Sequence, residues 1–151
     1  MSRKDKKKKS KEKDNFSLIK EVVDKNIISF KDIEIMSSID YPLFSFKYLQ
    51  DVSVSDCNDP SFFKDFLFRM KKLSELGWNE IRKSDRHSFG TEKIPYHMIK
   101  PKGSIPDFIT PEVEFTVFRA TGSNLPFIGV CESKVFHVIF VETKFGDIYN
   151  H

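Results

Sequence analysis

Five side chains near the end of the chain have the types needed to break a phosphodiester bond. They are Arg119, His137, Lys144, Tyr149 and His151. RNA cleavage without a metal requires a base for the 2′-hydroxyl, cations for the charged transition state and an acid for the leaving oxygen. His137 or His151 has the chemistry of the base, and Tyr149 has that of the acid. Arg119 and Lys144 are suited to stabilise the transition state.

Two of these side chains also have a structural explanation. His137 lies in an apolar run, and a single histidine there is usually a satisfied core residue. Arg119 interrupts another apolar run, and a buried arginine must be paired. Its partner could be Glu132, Glu142 or a bound phosphate. The sequence leaves both interpretations open.

A second polar segment lies in the middle of the chain, where residues 83–93 read KSDRHSFGTEK. Loops that combine arginine, histidine and lysine often carry function, because packing does not call for them. We expect Arg86, His87 and Lys93 to hold a nucleic-acid backbone. The alternative is a solvated connection between two elements.

The sequence predicts neither a metal centre nor a cofactor. The four histidines and two cysteines do not have the short spacings of metal or redox sites. The six glycines are isolated from one another, so no glycine-rich phosphate loop is present. Any site built by these residues would have to form by long-range convergence.

The basic charge of the chain is concentrated at its start. Residues 1–13 hold eight basic and two acidic side chains, whereas the whole chain has a net charge of only +3. The remaining residues are therefore slightly acidic, which excludes a uniformly basic nucleic-acid binder. Residues 1–15 are of low complexity, and we expect a disordered arm that adds affinity for polyanions or solubility.

Two features that the sequence lacks indicate where in the cell the protein is located. The basic start lacks the apolar stretch of a signal peptide. No run approaches the roughly 18 apolar residues of a membrane span. We therefore expect a cytoplasmic protein with reduced thiols and no membrane association, in which residues 16–151 form a single α+β domain.

Hydrophobic periodicity predicts the helices. Apolar residues recur at helical spacing over residues 16–28, and again over residues 60–73 and 78–84. Asp59 followed by proline has the pattern of a helix start. Gly77 separates the last two helices. Residues 95–111 contain four prolines and are predicted to be an irregular connection.

Alternating side chains predict the strands, which cover residues 44–49, 115–120, 125–131 and 135–141. The last run is apolar on both faces, as is typical of a central strand covered on both sides. We expect an α+β fold with a mainly antiparallel sheet of four or five strands. The two helices after residue 59 should pack on one face of that sheet.

The order of elements over residues 44–151 resembles the RelE/ParE toxin superfamily, in which two helices follow a first strand and a meander ends the chain. By position, Arg119 is similar to the family's strand arginine. Tyr149 and His151 are similar to its C-terminal aromatic and imidazole pair. The resemblance also makes Lys93 and Lys144 candidate phosphate contacts. The segments FRATG, FHVIF and KFGDIY also resemble parts of small bacterial or mobile-element proteins.

The resemblance implies a RelE-like, metal-independent endoribonuclease of toxin or defence type. Its substrate would be messenger RNA, commonly in the ribosome, and its partner a small antitoxin protein that covers the basic surface. The alternative is a non-catalytic module that binds nucleic acid or protein through the same scaffold. An enzyme requires its catalytic side chains to converge on one phosphate, whereas a binding module leaves them scattered or paired with carboxylates.

Overall fold

The computed structural model describes residues 30–100, 105–121 and 125–151. The chain divides into two compact units, residues 1–39 and residues 40–151. In the first unit, helix α1 spans Phe30–Ser38. The predicted arm (residues 1–15) and the helix predicted for residues 16–28 lie outside the described residues.

The second unit combines two helices with a five-stranded sheet. In chain order its elements are β1 (Leu43–Ser45), α2 (Asp51–Asp56), α3 (Pro60–Lys83), β2 (Glu92–Pro95), a 3-10 helix (Tyr96–Met98), β3 (Glu114–Arg119), β4 (Pro126–Glu132) and β5 (Val135–Val141). This arrangement confirms the α+β class. Within the described stretches, no helix combines the length and apolar character that crossing a membrane requires.

The strands lie in the order β1-β5-β4-β3-β2. The pairs from β5 to β2 are antiparallel, but β1 runs parallel to β5, with Leu43 opposite Val135. The sheet is therefore mixed, with three antiparallel pairs and one parallel pair, where we expected a mainly antiparallel sheet. Side-chain alternation shows that a segment is extended, but it does not encode the direction of a neighbour that is distant in sequence.

The predicted meander is confirmed, because β3 and β4 begin and end within one residue of the predicted strands and β5 matches its prediction. The first strand is shorter than predicted and ends at Ser45. Four elements were not predicted, namely α1, α2, β2 and the 3-10 helix. Residues 92–95 were assigned to a polar loop and an irregular connection, yet they pair with the edge of β3. Their pairing depends on tertiary contact rather than on local alternation.

Helix α3 starts and breaks where the sequence predicts. The Asp59 side chain accepts a hydrogen bond from the Ser61 N–H at 2.9 Å, and Pro60 occupies the first turn. Gly77 has φ of 77° and ψ of 163°, so the helix is interrupted there. A side chain at that position would lie 2.9 Å from the Asp40 carbonyl oxygen. Glycine is therefore required both by the backbone angle and by the close approach.

One face of the sheet packs against α3. Leu73, Trp78 and Ile81 of the helix are buried against strand residues that are mostly phenylalanines. Phe118 and Phe127 stack with their ring centroids 5.1 Å apart. These contacts confirm that the two segments of α3 cover one face of the sheet.

The other face of the sheet is covered mainly by irregular chain. Ile99 and Ile109, from the connection between β2 and β3, are buried there together with Ile148 and Tyr149 near the C-terminus. An isolated bridge joins Ile99 to Tyr149. The C-terminal residues are thus held against the sheet, and this placement decides where their side chains can act.

Candidate active site

A buried carboxylate folds the C-terminal segment back onto the sheet. Glu142 follows β5 directly and its side chain has no exposure to solvent. One of its oxygens accepts hydrogen bonds from the Gly146 N–H at 3.0 Å and lies 2.7 Å from His151 Nε2. The other accepts from the N–H groups of Ile148 and Tyr149, at 2.7 and 3.4 Å. Four donors thus satisfy a charge that would be costly to bury alone.

The tautomer of His151 follows from this contact. An ionised carboxylate only accepts hydrogen bonds, so His151 donates to Glu142 through Nε2. A neutral imidazole that donates through Nε2 keeps its lone pair on Nδ1. In this tautomer Nδ1 of His151 is a hydrogen-bond acceptor.

Two aromatic rings hold the His151 ring in place. The Phe145 ring stacks on it with a centroid distance of 3.8 Å and an interplanar angle of 19°. The Tyr149 ring lies on it at 4.0 Å and 39°. Tyr149 is buried, whereas Phe145 is 60% exposed. The imidazole is thus fixed by packing as well as by its hydrogen bond.

Tyr149 belongs to a buried hydrogen-bonded group with Arg119 and Glu92. Its hydroxyl donates to Glu92 Oε1 at 3.0 Å and accepts from Arg119 Nη1 at 3.4 Å. Arg119 Nη2 lies 3.5 Å from the same Glu92 oxygen. Burial is the main cause that raises the pKa of Tyr149 to about 12, with Glu92 adding to the rise and Arg119 opposing it. The phenol therefore keeps its proton at neutral pH.

The segment between α3 and β2 brings a second arginine to Glu92. Arg86 Nη1 donates to Glu92 Oε2 at 2.8 Å, and Arg86 Nε donates to His87 Nε2 at 3.2 Å. The segment is closed by the Gly90 N–H, which donates to the Asp85 carbonyl at 2.9 Å. From the first residues of β2, Lys93 donates to the Thr116 hydroxyl on β3.

These side chains surround one cavity of about 390 Å³. Six of the eight residues predicted from the sequence line it, namely Arg86, His87, Lys93, Arg119, Tyr149 and His151. The sequence did not single out the other lining residues, which are Glu92, Ile94, Met98, Phe145 and Asn150. The lining holds three cationic side chains and one carboxylate, so the cavity favours an anionic ligand.

The predicted convergence does not extend to His137 and Lys144. His137 lies on β5 with its Nε2 3.5 Å from Glu132 and its ring 5.4 Å from the ring of Tyr48. Its Nδ1 is buried and has no hydrogen-bond partner within the described residues, so the interpretation of His137 as a satisfied core residue is not confirmed at that atom. Lys144 is exposed in the turn after β5 and does not line the cavity. Its carbonyl oxygen accepts the Asp147 N–H at 3.2 Å, which closes that turn.

Glu92 is the main residue that sequence reasoning missed, and it lies 3.5 Å from Arg119, for which Glu132 and Glu142 were the expected carboxylate partners. Glu142 carried a signal, since it directly follows the central strand and precedes a glycine-containing turn. Glu92 carried none, because it lies 57 positions from Tyr149 and reaches it only through the pairing of β2 with β3. In the described part of the chain, no three histidine, cysteine or acidic side chains are grouped closely enough to hold a metal ion.

No protein-family model matches the sequence, and neither the curated proteins nor the solved structures include a match to it. The resemblance to the RelE/ParE superfamily therefore stays a prediction from the order of elements and from the residue types near the C-terminus.

Proposed function

We propose that this protein is a metal-independent endoribonuclease of toxin or defence type that cleaves messenger RNA in the cytoplasm. The observation that carries the proposal is the pairing of His151 with the buried Glu142 in a cavity that also holds Arg119 and Tyr149. These side chains would supply a base, a cation and an acid to one phosphodiester group. In the free protein Arg119 and His151 are paired with Glu92 and Glu142, which is the pattern expected of the alternative, a binding module.

His151 acts as the base in this mechanism. Its Nδ1 takes the proton from the 2′-hydroxyl, whose oxygen then attacks the phosphorus. Glu142 stabilises the imidazolium that forms, because it lies 2.7 Å from Nε2 and is fully buried. A carboxylate in this position also fixes the orientation and tautomer of the ring.

Cations stabilise the charge that develops on the phosphate oxygens. Arg119 lies beside the Tyr149 hydroxyl, and Arg86 and Lys93 line the same cavity. Glu92 holds both arginines through separate oxygens in the free protein. Prepositioned donors of this kind need little reorganisation when charge develops, which is why they contribute strongly to catalysis.

Tyr149 supplies the proton for the leaving group. The bond between the 2′-oxygen and phosphorus forms as the bond to the 5′-oxygen breaks, and the Tyr149 proton goes to that 5′-oxygen. The products are a 2′,3′-cyclic phosphate and a 5′-hydroxyl. Arg119 stabilises the tyrosinate, which regains a proton through solvent from the His151 imidazolium. A phenol with a pKa of about 12 is protonated before the reaction and is a stronger acid than the departing hydroxyl.

The proposal is tested by induced expression of wild type beside a Tyr149→Phe, His151→Ala double variant, with growth and messenger-RNA integrity as readouts. We expect wild type to arrest growth and to cleave message, and the double variant at equal protein level to do neither. His97→Ala is the matched control, because His97 is exposed and does not line the cavity. Intact message in cells that hold folded wild type would exclude the nuclease.

The chemistry itself is tested with purified protein and a single-stranded oligoribonucleotide. Cleavage should persist in excess chelator, because side chains supply every role in the mechanism. A deoxynucleotide at the scissile position should block it, because the attacking 2′-hydroxyl is then missing. Loss of cleavage on chelation would contradict the metal-independent mechanism.

A second candidate function, protein binding, is favoured by an apolar groove elsewhere on the second unit. This groove of about 520 Å³ lies between α2, α3 and the segment after β1, and Phe63 and Leu67 line it. Leu67 is 71% exposed. Lys64 lines the same groove. We infer a partner that contributes an apolar helix with neighbouring acidic residues, which is the chemistry expected of an antitoxin.

Co-expression with a candidate partner of this chemistry, a small protein with an apolar helix and neighbouring acidic residues, tests this surface. The partner should relieve the growth arrest caused by wild type but not that caused by Leu67→Glu. Tyr41→Glu is a control with a similar change, because Tyr41 is also exposed but does not line the groove. Equal relief of all three proteins would exclude the groove as the partner site.

A further inference from the structure

Phe145 is a large apolar side chain that is exposed and yet fixed in position. It is 60% exposed at the wall of the active-site cavity. Its ring stacks on His151 at 3.8 Å. The residue after it, Gly146, has φ of 83° and donates its N–H to the buried Glu142. The ring is therefore held in place by both its backbone and its neighbour.

The cavity offers more than a phosphate site. Met98 provides an apolar wall, and Asn150 is exposed at the same cavity with an amide that can both donate and accept hydrogen bonds. A volume of about 390 Å³ falls within the range of pockets that bind small organic ligands. A flat ring, an apolar wall and an amide together match the faces and edges of a nucleobase.

We infer that Phe145 is the stacking platform of a nucleobase subsite, and that the substrate is single-stranded RNA with an unpaired purine beside the scissile phosphate. The inference rests on the proposed function for the identity of its ligand. The base lies on Phe145, and Asn150 hydrogen-bonds its edge. A base in a duplex is already stacked and paired, so only an unpaired base can bind in this way.

The stacking geometry links this subsite to the catalytic base. A purine on Phe145 would extend a continuous ladder of rings through His151 to Tyr149, whose centroids follow at 3.8 and 4.0 Å. Binding of the base would therefore hold the RNA strand at the cavity that contains the imidazole. A purine is favoured over a pyrimidine because the larger ring system overlaps more of the platform.

The test uses a Phe145→Trp reporter and an oligonucleotide made uncleavable by 2′-O-methylation. Trp78 is the single native tryptophan and is 6% exposed, so it contributes a constant background. We expect quenching on binding of an oligonucleotide with one central adenine in an otherwise abasic strand, and little quenching with the fully abasic strand. In otherwise native protein, Phe145→Ala should weaken adenine-dependent binding about tenfold, in line with one stacked base.

Phe108→Ala is the matched control, since Phe108 is 50% exposed but does not line the cavity. Equal affinity of wild type for the adenine and abasic strands would overturn the subsite, as would unchanged binding by Phe145→Ala. Cleavage of ordinary RNA without base-dependent binding would overturn the subsite alone. Base-dependent quenching in a protein that never cleaves RNA would support the subsite and exclude the nuclease.

Discussion

At the scale of single residues, Glu142 shapes a cavity that it does not line. Its carboxylate is fully buried and receives three backbone N–H groups as well as His151. It therefore acts on the reaction only through the orientation and charge of the imidazole. This makes Glu142 a positioning residue in the proposed mechanism.

Substitution of Glu142 by glutamine tests that role. Glu142→Gln keeps the size of the side chain but removes the charge that stabilises the imidazolium and sets its tautomer. We expect kcat to fall by about 10²- to 10⁴-fold, the range associated with a general base, and KM to change little.

Glu132→Gln is the matched control for this substitution. Glu132 also lies at a strand end and also faces a histidine, His137, but it is exposed and lies outside the cavity. The kcat of Glu132→Gln should equal that of wild type. A similar loss in both variants, or a loss confined to KM in Glu142→Gln, would contradict the positioning role.

The buried phenol of Tyr149 gives a prediction about stability. The pKa of Tyr149 in the fold is about 12, against 10.0 for a free tyrosine, so folding favours the protonated form. The stabilisation is complete below pH 10 and is lost as the pH rises towards 12. Over this pH interval the free energy of unfolding of wild type should fall by about 1 to 2 kcal/mol more than that of Tyr149→Phe, as measured by urea unfolding. Parallel pH profiles would contradict the burial of the hydroxyl.

At the scale of elements, the turn between α3 and β2 positions Arg86 and His87. It is tight at Gly90, where an added Cβ would lie 2.2 Å from the Ser84 carbonyl oxygen. Backbone atoms cannot move aside as a flexible side chain can. The path of this turn therefore depends on glycine at that position.

Gly90→Ala should displace the turn and the two side chains that it presents. We expect a loss of about 1 to 3 kcal/mol in the free energy of unfolding, the usual cost of an overpacked site, and lower cleavage activity. Urea unfolding and RNA cleavage are the measurements. Thr91→Ala, at the next position, should change neither by a comparable amount. If Gly90→Ala were as stable as wild type, the turn would have a second accessible backbone path.

At the scale of the whole molecule, basic charge is concentrated at the start of the chain. Residues 1–13 carry eight basic side chains, whereas the chain as a whole has a net charge of only +3. The cavity contributes its own cations, Arg86, Lys93 and Arg119. Affinity for RNA should thus have two electrostatic parts, one from the start of the chain and one from the site.

Removal of residues 1–13 separates these two parts. The truncated protein should bind RNA more weakly at low salt, and its affinity should depend less on salt. The slope of log affinity against log salt concentration scales with the number of neutralised phosphates, at about 0.7 per contact for single strands. The rate at saturating RNA should be unchanged. A full-length variant in which the lysines of residues 1–13 are replaced by glutamines should behave like the truncated protein. If either protein kept the salt dependence of wild type, the arm would be excluded as an RNA contact.

The sequence by itself determined the features that depend on local physical chemistry. The meander over residues 114–141 followed from alternation of apolar side chains, and the start of α3 followed from Asp59 and proline. The break at Gly77 followed from the conformational freedom of glycine. The types and two-residue spacing of Tyr149 and His151 were enough to nominate the C-terminal end as a site.

Only the tertiary structure decided which side chains meet. The pairing of β2 with β3 brings Glu92 to Arg119 and Tyr149, and the hydrogen bonds of Glu142 turn His151 into the same cavity. The parallel direction of β1 was equally undetermined. Pairing between distant strands and the burial of a carboxylate depend on the sum of contacts across the fold, whereas alternation and spacing report only on neighbours along the chain.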